Sequence, residues 1–283
     1  MVTTVDLAEQ VRVDGYAILP GALTPDEVAE INAEAVRLCR GDLGEIGRAP
    51  TVASTDSDAD VLRQFLCIHH PHKLSEVVAR SLAHRRIVDV LTQVIGPNVK
   101  AAQSMLFIKA EGRPGQPWHQ DEYFIPTRDR SLTAVWIALD DATVENGCLW
   151  VLPGSHRRGV LYPDREQDDP RFDCSIEAYD FPYQDSDAVP VEMPAGSAVV
   201  FNGYLLHRSL PNSGMHGYRR ALANHYLSAE SLLGWKVPKD VNPAHWDYRD
   251  VVLVAGADPY AYKGTVDLTR AYVRADRDGG CDR

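Results

Sequence analysis

Residues 133–154, TAVWIALDDATVENGCLWVLPG, decide the fold. Two short runs of β-branched, aromatic and small apolar residues, 133–139 and 148–152, flank a Glu145-Asn146-Gly147 turn. Pro153-Gly154-Ser155 closes the second run. Runs of this length bounded by glycine and proline are strands, because an amphipathic helix needs ten or more residues to bury a stripe. Working outward, residues 102–110, 198–201 and 220–227 repeat the pattern. Turn clusters at 111–115, 194–196 and 211–214 separate them. Many short strands joined by such turns predict a mainly β sandwich or barrel.

Upstream the period changes. Thr24 is placed to cap a helix opening Pro25-Asp26-Glu27, with acids where the helix dipole favours them. Val28, Ile31, Ala35 and Leu38 then recur at helical spacing. A second helical stretch is predicted over 74–95 from Val77, Leu82, Ile87, Val88, Leu91 and Val94, with Gly96-Pro97 ending it. Residues 161–190 form a polar, aromatic-bearing insertion of the kind that covers sites. The expected organisation is one domain over 1–283: a mainly helical region 1–97, a β core 98–228 interrupted by 161–190, and an irregular C-terminal tail 229–283.

Composition narrows the function. The 283 residues are 45% hydrophobic and 24% charged, ordinary globular values. Lysine and arginine total 29 against 40 acids, a net charge of −11, which provides no electrostatic footprint for nucleic acid or an anionic membrane. The longest uncharged apolar run, 251–257, is too short to span a bilayer. The N-terminus, MVTTVDLAEQ, has no basic segment followed by an apolar run, so a cytoplasmic location is expected. Cys39, Cys67, Cys148, Cys174 and Cys281 form no CxxC pair and are odd in number, which predicts free thiols in a reducing compartment. Nothing in the sequence specifies an oligomeric state.

Most of the ten histidines have ordinary explanations. His84, His216 and His245 lie in polar surroundings and read as surface residues. His69, His70 and His72 surround Pro71 and read as a border to the second helix. His156, in a Pro-Gly-Ser-His turn, reads as a loop brace. His119 differs, because Trp118-His119-Gln120-Asp121 places an imidazole and a carboxylate two residues apart. In extended backbone both then project to one face. A hydrogen-bonded His–Asp pair explains that spacing equally well. His207, just after the run 198–201, is the best third ligand. Two histidines and a carboxylate on one face of a metal suit non-haem iron(II) and oxygen chemistry. Arg219-Arg220, twelve residues beyond His207, adds a guanidinium suited to a dicarboxylate.

These segments, in order, resemble the phytanoyl-CoA dioxygenase family: Trp118-His119-Gln120-Asp121, Val135 to Asp140, Glu145 to Leu149, Leu152 to His156, His207 to Asn212, and Arg219-Arg220-Ala221. The resemblance runs from about residue 14 to 228. It implies a double-stranded β-helix (jelly-roll, cupin-like) core with flanking helices. It also implies an iron(II)- and 2-oxoglutarate-dependent dioxygenase that consumes O2 and releases succinate and CO2. His119, Asp121 and His207 are the implied iron ligands. Arg219 would hold the distal carboxylate of 2-oxoglutarate, with one extra residue in the 213–218 turn and Arg220 as the alternative. Ser209, Met105 and Trp136 would complete the co-substrate pocket, Gln103 would contact co-substrate or substrate, and Arg63 is the candidate for a further polar contact. Asp121 stands where halogenating relatives carry a small residue, so hydroxylation or a related oxidation is implied. The substrate is expected to be a small organic molecule facing Tyr123, Phe124, Trp150 and, if it points inward, His225. The competing reading is a cupin-like metalloenzyme, a lyase, isomerase or hydrolase, that needs no anchoring arginine.

Overall fold

A computed structural model describes residues 3–214, 217–231 and 250–274. The helices are α1 (Thr4–Asp14), α2 (Pro25–Arg40), α3 (Asp58–Arg63), α4 (Glu76–Leu82), α5 (Arg85–Val94) and the short α6 (Asp121–Phe124). The strands of the N-terminal half are β1 (Tyr16–Leu19), β2 (Cys67–His69), β3 (Val99–Lys109), β4 (Gln116–His119) and β5 (Thr133–Ala138). They are followed by β6 (Leu149–Val151), β7 (Asp164–Arg165), β8 (Glu177–Ala178), β9 (Val189–Val191) and β10 (Ala198–Asn202). The last are β11 (His207–Ser209), β12 (Arg219–Ser228), β13 (Val252–Ala255) and β14 (Tyr272–Val273).

Helix α2 forms as its sequence predicts. The Thr24 hydroxyl accepts from the Glu27 amide, the Glu27 carboxylate answers at the Thr24 amide, and Gly41 closes the helix in the left-handed region. The continuous helix expected over 74–95 is instead two, broken at Ala83 and His84. A straight helix carrying Val78 and Leu82 inward would bring Arg85, Arg86 and Asp89 to the same face. The break resets the stripe to Ile87, Val90 and Leu91, all fully buried.

The strands make two facing sheets. The major sheet runs β1-β10-β5-β12-β3-β2-β14, with β13 also paired to β3; the minor sheet runs β4-β11-β6-β9. The architecture is a double-stranded β-helix. Period-two alternation sorts the major sheet's side chains. Val135, Ile137, Leu106, Ile108 and Leu222 face outward and pack with Leu7, Ile31, Leu82 and Leu91 of the helices. Met105, Ala134, Trp136, Ala138, Ala221, Ala223 and Phe201 face inward toward the minor sheet. Alanine at four of these inward positions leaves space between the sheets.

Several expectations need correction. The N-terminal region contributes β1 and β2 to the major sheet. These strands are too short to announce themselves and exist because β10 and β3 supply their partners. The C-terminal segment is not merely irregular, since β13 and β14 extend the same sheet. The insertion carries the β7–β8 hairpin, and its end, β9, belongs to the minor sheet. Cys174 is disulfide-bonded, whereas Cys39, Cys67 and Cys148 are free and buried. That corrects the reading of five free thiols and removes its support for a reducing compartment; pairing follows from proximity in space, which spacing in the chain does not reveal. His216, His245 and Cys281 lie outside the described residues. Among the described residues no helix is long and apolar enough to cross a membrane.

Candidate active site

Antiparallel pairing of β4 with β11 sets His119 directly opposite His207, and their ring centroids lie 4.0 Å apart. Gln120 is extended, so Asp121, the first residue of α6, returns to the face of His119. Asp121 Oδ1 lies 3.7 Å from His119 Nε2 and 3.6 Å from His207 Nε2. Gln120 points the other way and ties the site to its surroundings. Its amide donates to the Tyr204 and Val160 carbonyls, and its oxygen accepts from the Tyr162 amide at 2.9 Å.

The tautomers are set by the backbone. His119 Nδ1 donates to the Pro117 carbonyl at 2.8 Å and His207 Nδ1 to the Leu205 carbonyl at 3.1 Å. In the neutral rings Nε2 therefore carries the lone pair, and these two atoms with an Asp121 oxygen lie within 4.8 Å of one another. Burial pushes the His119 pKa down to about 3, with the neighbouring His207 adding to the effect. Burial alone would raise that of Asp121, but the imidazoles of His207, His225 and His119 outweigh it and hold the carboxyl below its usual range. A ring nitrogen from each of two histidines and a carboxylate oxygen make the donor set for a divalent metal.

Beside this face lies a recess of about 60 Å³ lined by Met105, Trp136, Ser209, Arg219 and Ala223, among others. The Arg219 guanidinium is buried, stands 5.2 Å from the Trp136 ring centroid and donates through Nε to the Gly147 carbonyl at 3.1 Å. Its Nη1 is buried with no hydrogen-bond partner. Burial lowers its pKa to about 10, which still leaves it cationic at neutral pH. A buried guanidinium with an unused donor suits the carboxylate of a small dianion. Arg220 faces the opposite side of β12 and is held by Asp140 at 2.9 and 2.6 Å, which removes it as the alternative.

A second cavity of about 650 Å³ adjoins the first. Gln103, Met105, His119, Asp121, Phe124 and His225 line it, so His225 points inward. Tyr123 is 42% exposed and lies in a side crevice with Tyr162 and Asp164. Two predicted site residues lie elsewhere. Trp150 lines neither cavity and packs on the Trp118, Leu152, Ala178 and Leu206 cluster, because its neighbour Leu149 takes the inward position on β6. Arg63 ends α3 exposed, reaching the Glu111 carbonyl at 3.4 Å.

Six further residues border the site. Lys109 lies on the inward face of β3 with Met105, a placement that period two from Met105 could have found. Burial, reinforced by Arg219, lowers its pKa well below the usual lysine range. Asp173 of the insertion borders the recess and pairs with Arg274 at 3.1 Å. His69 and Tyr272 stack at 4.5 Å on the wall of the larger cavity, with His70 beside them. His69 and His70 therefore do more than border a helix. Nothing in the local sequence of Arg274 or Tyr272 signals this role.

A family model described as Phytanoyl-CoA dioxygenase (PhyH) matches residues 11–221. Phytanoyl-CoA dioxygenase 1 of Oryza sativa subsp. japonica is 34% identical over 164 residues, 57% of this chain and 57% of its own length. The chain thus spans less than two thirds of that relative. Phytanoyl-CoA dioxygenase domain-containing protein 1 of Mus musculus is 30% identical over 271 residues, 82% of this chain and 90% of its own. Among solved structures, EvdO2 from Micromonospora carbonacea var. aurantiaca complexed with 2-oxoglutarate is 26% identical with a TM-score of 0.58, covering 85% of this chain and 95% of that one.

Proposed function

The chain belongs to the phytanoyl-CoA dioxygenase family, and we propose that it is an iron(II)- and 2-oxoglutarate-dependent oxygenase acting on a small organic molecule. His119, Asp121 and His207 hold the metal, and Arg219 anchors the co-substrate. The observation that carries this reading is the unused Nη1 of the buried Arg219 beside three converging metal donors. A cupin-like lyase or hydrolase would have no use for that guanidinium.

Bound iron supplies coupled O2 activation and oxidative decarboxylation of 2-oxoglutarate to succinate and CO2. The chain's own residues bind, orient and exclude water. The backbone carbonyls of Pro117 and Leu205 fix the two imidazoles in the ligating tautomer. Arg219 takes the distal carboxylate, with Lys109 and the Ser209 hydroxyl beside it. Trp136 packs against the guanidinium and keeps the recess dry, which strengthens the ion pair. The larger cavity, bounded by Phe124, Ile125, Met105 and His225, receives the substrate against the metal face. Asp121 occupies the carboxylate position, which favours hydroxylation or a related oxidation. A single domain over 1–283 accords with a site built from both sheets, the insertion and the C-terminal segment.

The test is an anaerobic titration with iron(II), then 2-oxoglutarate, following the visible metal-to-ligand charge-transfer band. A saturable band is expected, absent in His207→Ala and weakened in Arg219→Ala. Iron binding without any band would overturn 2-oxoglutarate dependence.

A further inference from the structure

Asp121 is held from behind. His225 Nε2 lies 3.0 Å from Asp121 Oδ2, while Oδ1 is the oxygen nearest the Nε2 atoms of His119 and His207. A carboxylate only accepts, so His225 Nε2 carries the proton, and in the neutral ring its Nδ1 is the acceptor. The Gln103 amide nitrogen lies 3.3 Å from that Nδ1 and completes the chain as its donor. Gln103 and His225 are direct partners across β3 and β12, which sets the two side chains abreast on the inward face. The ladder slips immediately beyond them, with Tyr226 paired to Ala101 rather than Ala102. Bulges of this kind re-aim side chains beside active sites. His225 is only 5% exposed.

We propose that His225 is a positioning residue that occupies Oδ2 of Asp121 and leaves Oδ1 as its single metal-binding oxygen, with Gln103 locking His225 in the donating tautomer. The inference rests on the proposed metal site. A carboxylate free to bind through both oxygens would fill one more coordination position, and an unsupported one would rotate. His225 prevents both, keeping open the positions that co-substrate and O2 require.

Cobalt(II) added to the anaerobic metal-free protein tests this without turnover, because its visible bands report coordination number. His225→Ala is expected to lower cobalt affinity about 10- to 100-fold and to change the band pattern toward higher coordination. His225→Gln places an amide N–H near the lost Nε2–H and should restore both. Gln103→Leu, which keeps the imidazole but releases its tautomer, should give a smaller loss of affinity. Wild-type affinity and an unchanged spectrum in His225→Ala would overturn the positioning role; a KM change alone would then make His225 a substrate contact. If His225→Ala fails to fold by circular dichroism, Gln103→Leu decides, an unchanged spectrum and affinity rejecting the inference. Wild-type protein that binds no cobalt would instead reject the metal site itself.

Discussion

Lys109 Nζ donates to the Ser209 hydroxyl at 3.0 Å and to the Leu210 carbonyl at 2.7 Å, so a second buried nitrogen donor shares the recess with Arg219. Burial and the neighbouring Arg219 disfavour the charged form of Lys109, and an entering carboxylate would favour it. Lys109→Met keeps the length and removes the donor. We expect 2-oxoglutarate affinity to fall about 10- to 100-fold, the worth of a charged hydrogen bond at 1.5–3 kcal/mol, with iron affinity unchanged. Equilibrium dialysis of labelled 2-oxoglutarate measures this. Undiminished binding would confine Lys109 to holding Ser209 in place.

Arg219 and Arg220 are adjacent, yet the pleat sends them to opposite faces. Arg219→Ala should weaken 2-oxoglutarate by about 2–4 kcal/mol, roughly 30- to 1,000-fold. Arg220→Ala should leave co-substrate affinity alone and cost about 1 kcal/mol of stability through its partly buried Asp140 pair. The same charge-transfer titration and a chemical melt separate the two. Equal effects on co-substrate binding would contradict the assigned faces.

Ala223 leaves room beside Met105 and Trp136. In Ala223→Leu an isobutyl group would enter a recess of only about 60 Å³. Overpacking should cost about 1–3 kcal/mol, and 2-oxoglutarate should no longer bind while cobalt(II) still does. Normal co-substrate binding would place it outside this recess.

The metal-free protein should lose stability in mild acid. Burial holds His119 down to about 3 and His72 down to about 4, both from 6.5. Between those values and 6.5 the unfolded chain binds protons that the native state refuses. Stability is therefore complete above about pH 6.5 and falls as pH drops below it. At pH 5 the two histidines together cost about 4 kcal/mol. Thermal melts of chelated protein at pH 7.5 and 5.0 should show a clear drop in Tm, and superimposable melts would contradict the buried, neutral state of both rings.

The order of amino acids alone is enough for the strands β3, β5, β10 and β12, for α2 with its cap, and for His119, Asp121 and His207 as one cluster. The information is local: period two, a Thr-x-x-Glu cap and an HxD spacing each act over a few residues. It also says that Arg219 and Arg220 lie on opposite faces, and that Trp150 opposes Leu149. It cannot say which face is inside, because that depends on the sheet packed opposite. Strands β1, β2 and β14, two to four residues long, have no signal apart from their partners in space. For the same reason His225 stays ambiguous until β3 sets Gln103 beside it and β4 delivers Asp121. Arg274 reaches Asp173 across a hundred residues of chain. Alternation is a property of the backbone, whereas inwardness, pairing and the tautomer of a buried imidazole belong to whatever the fold brings against it.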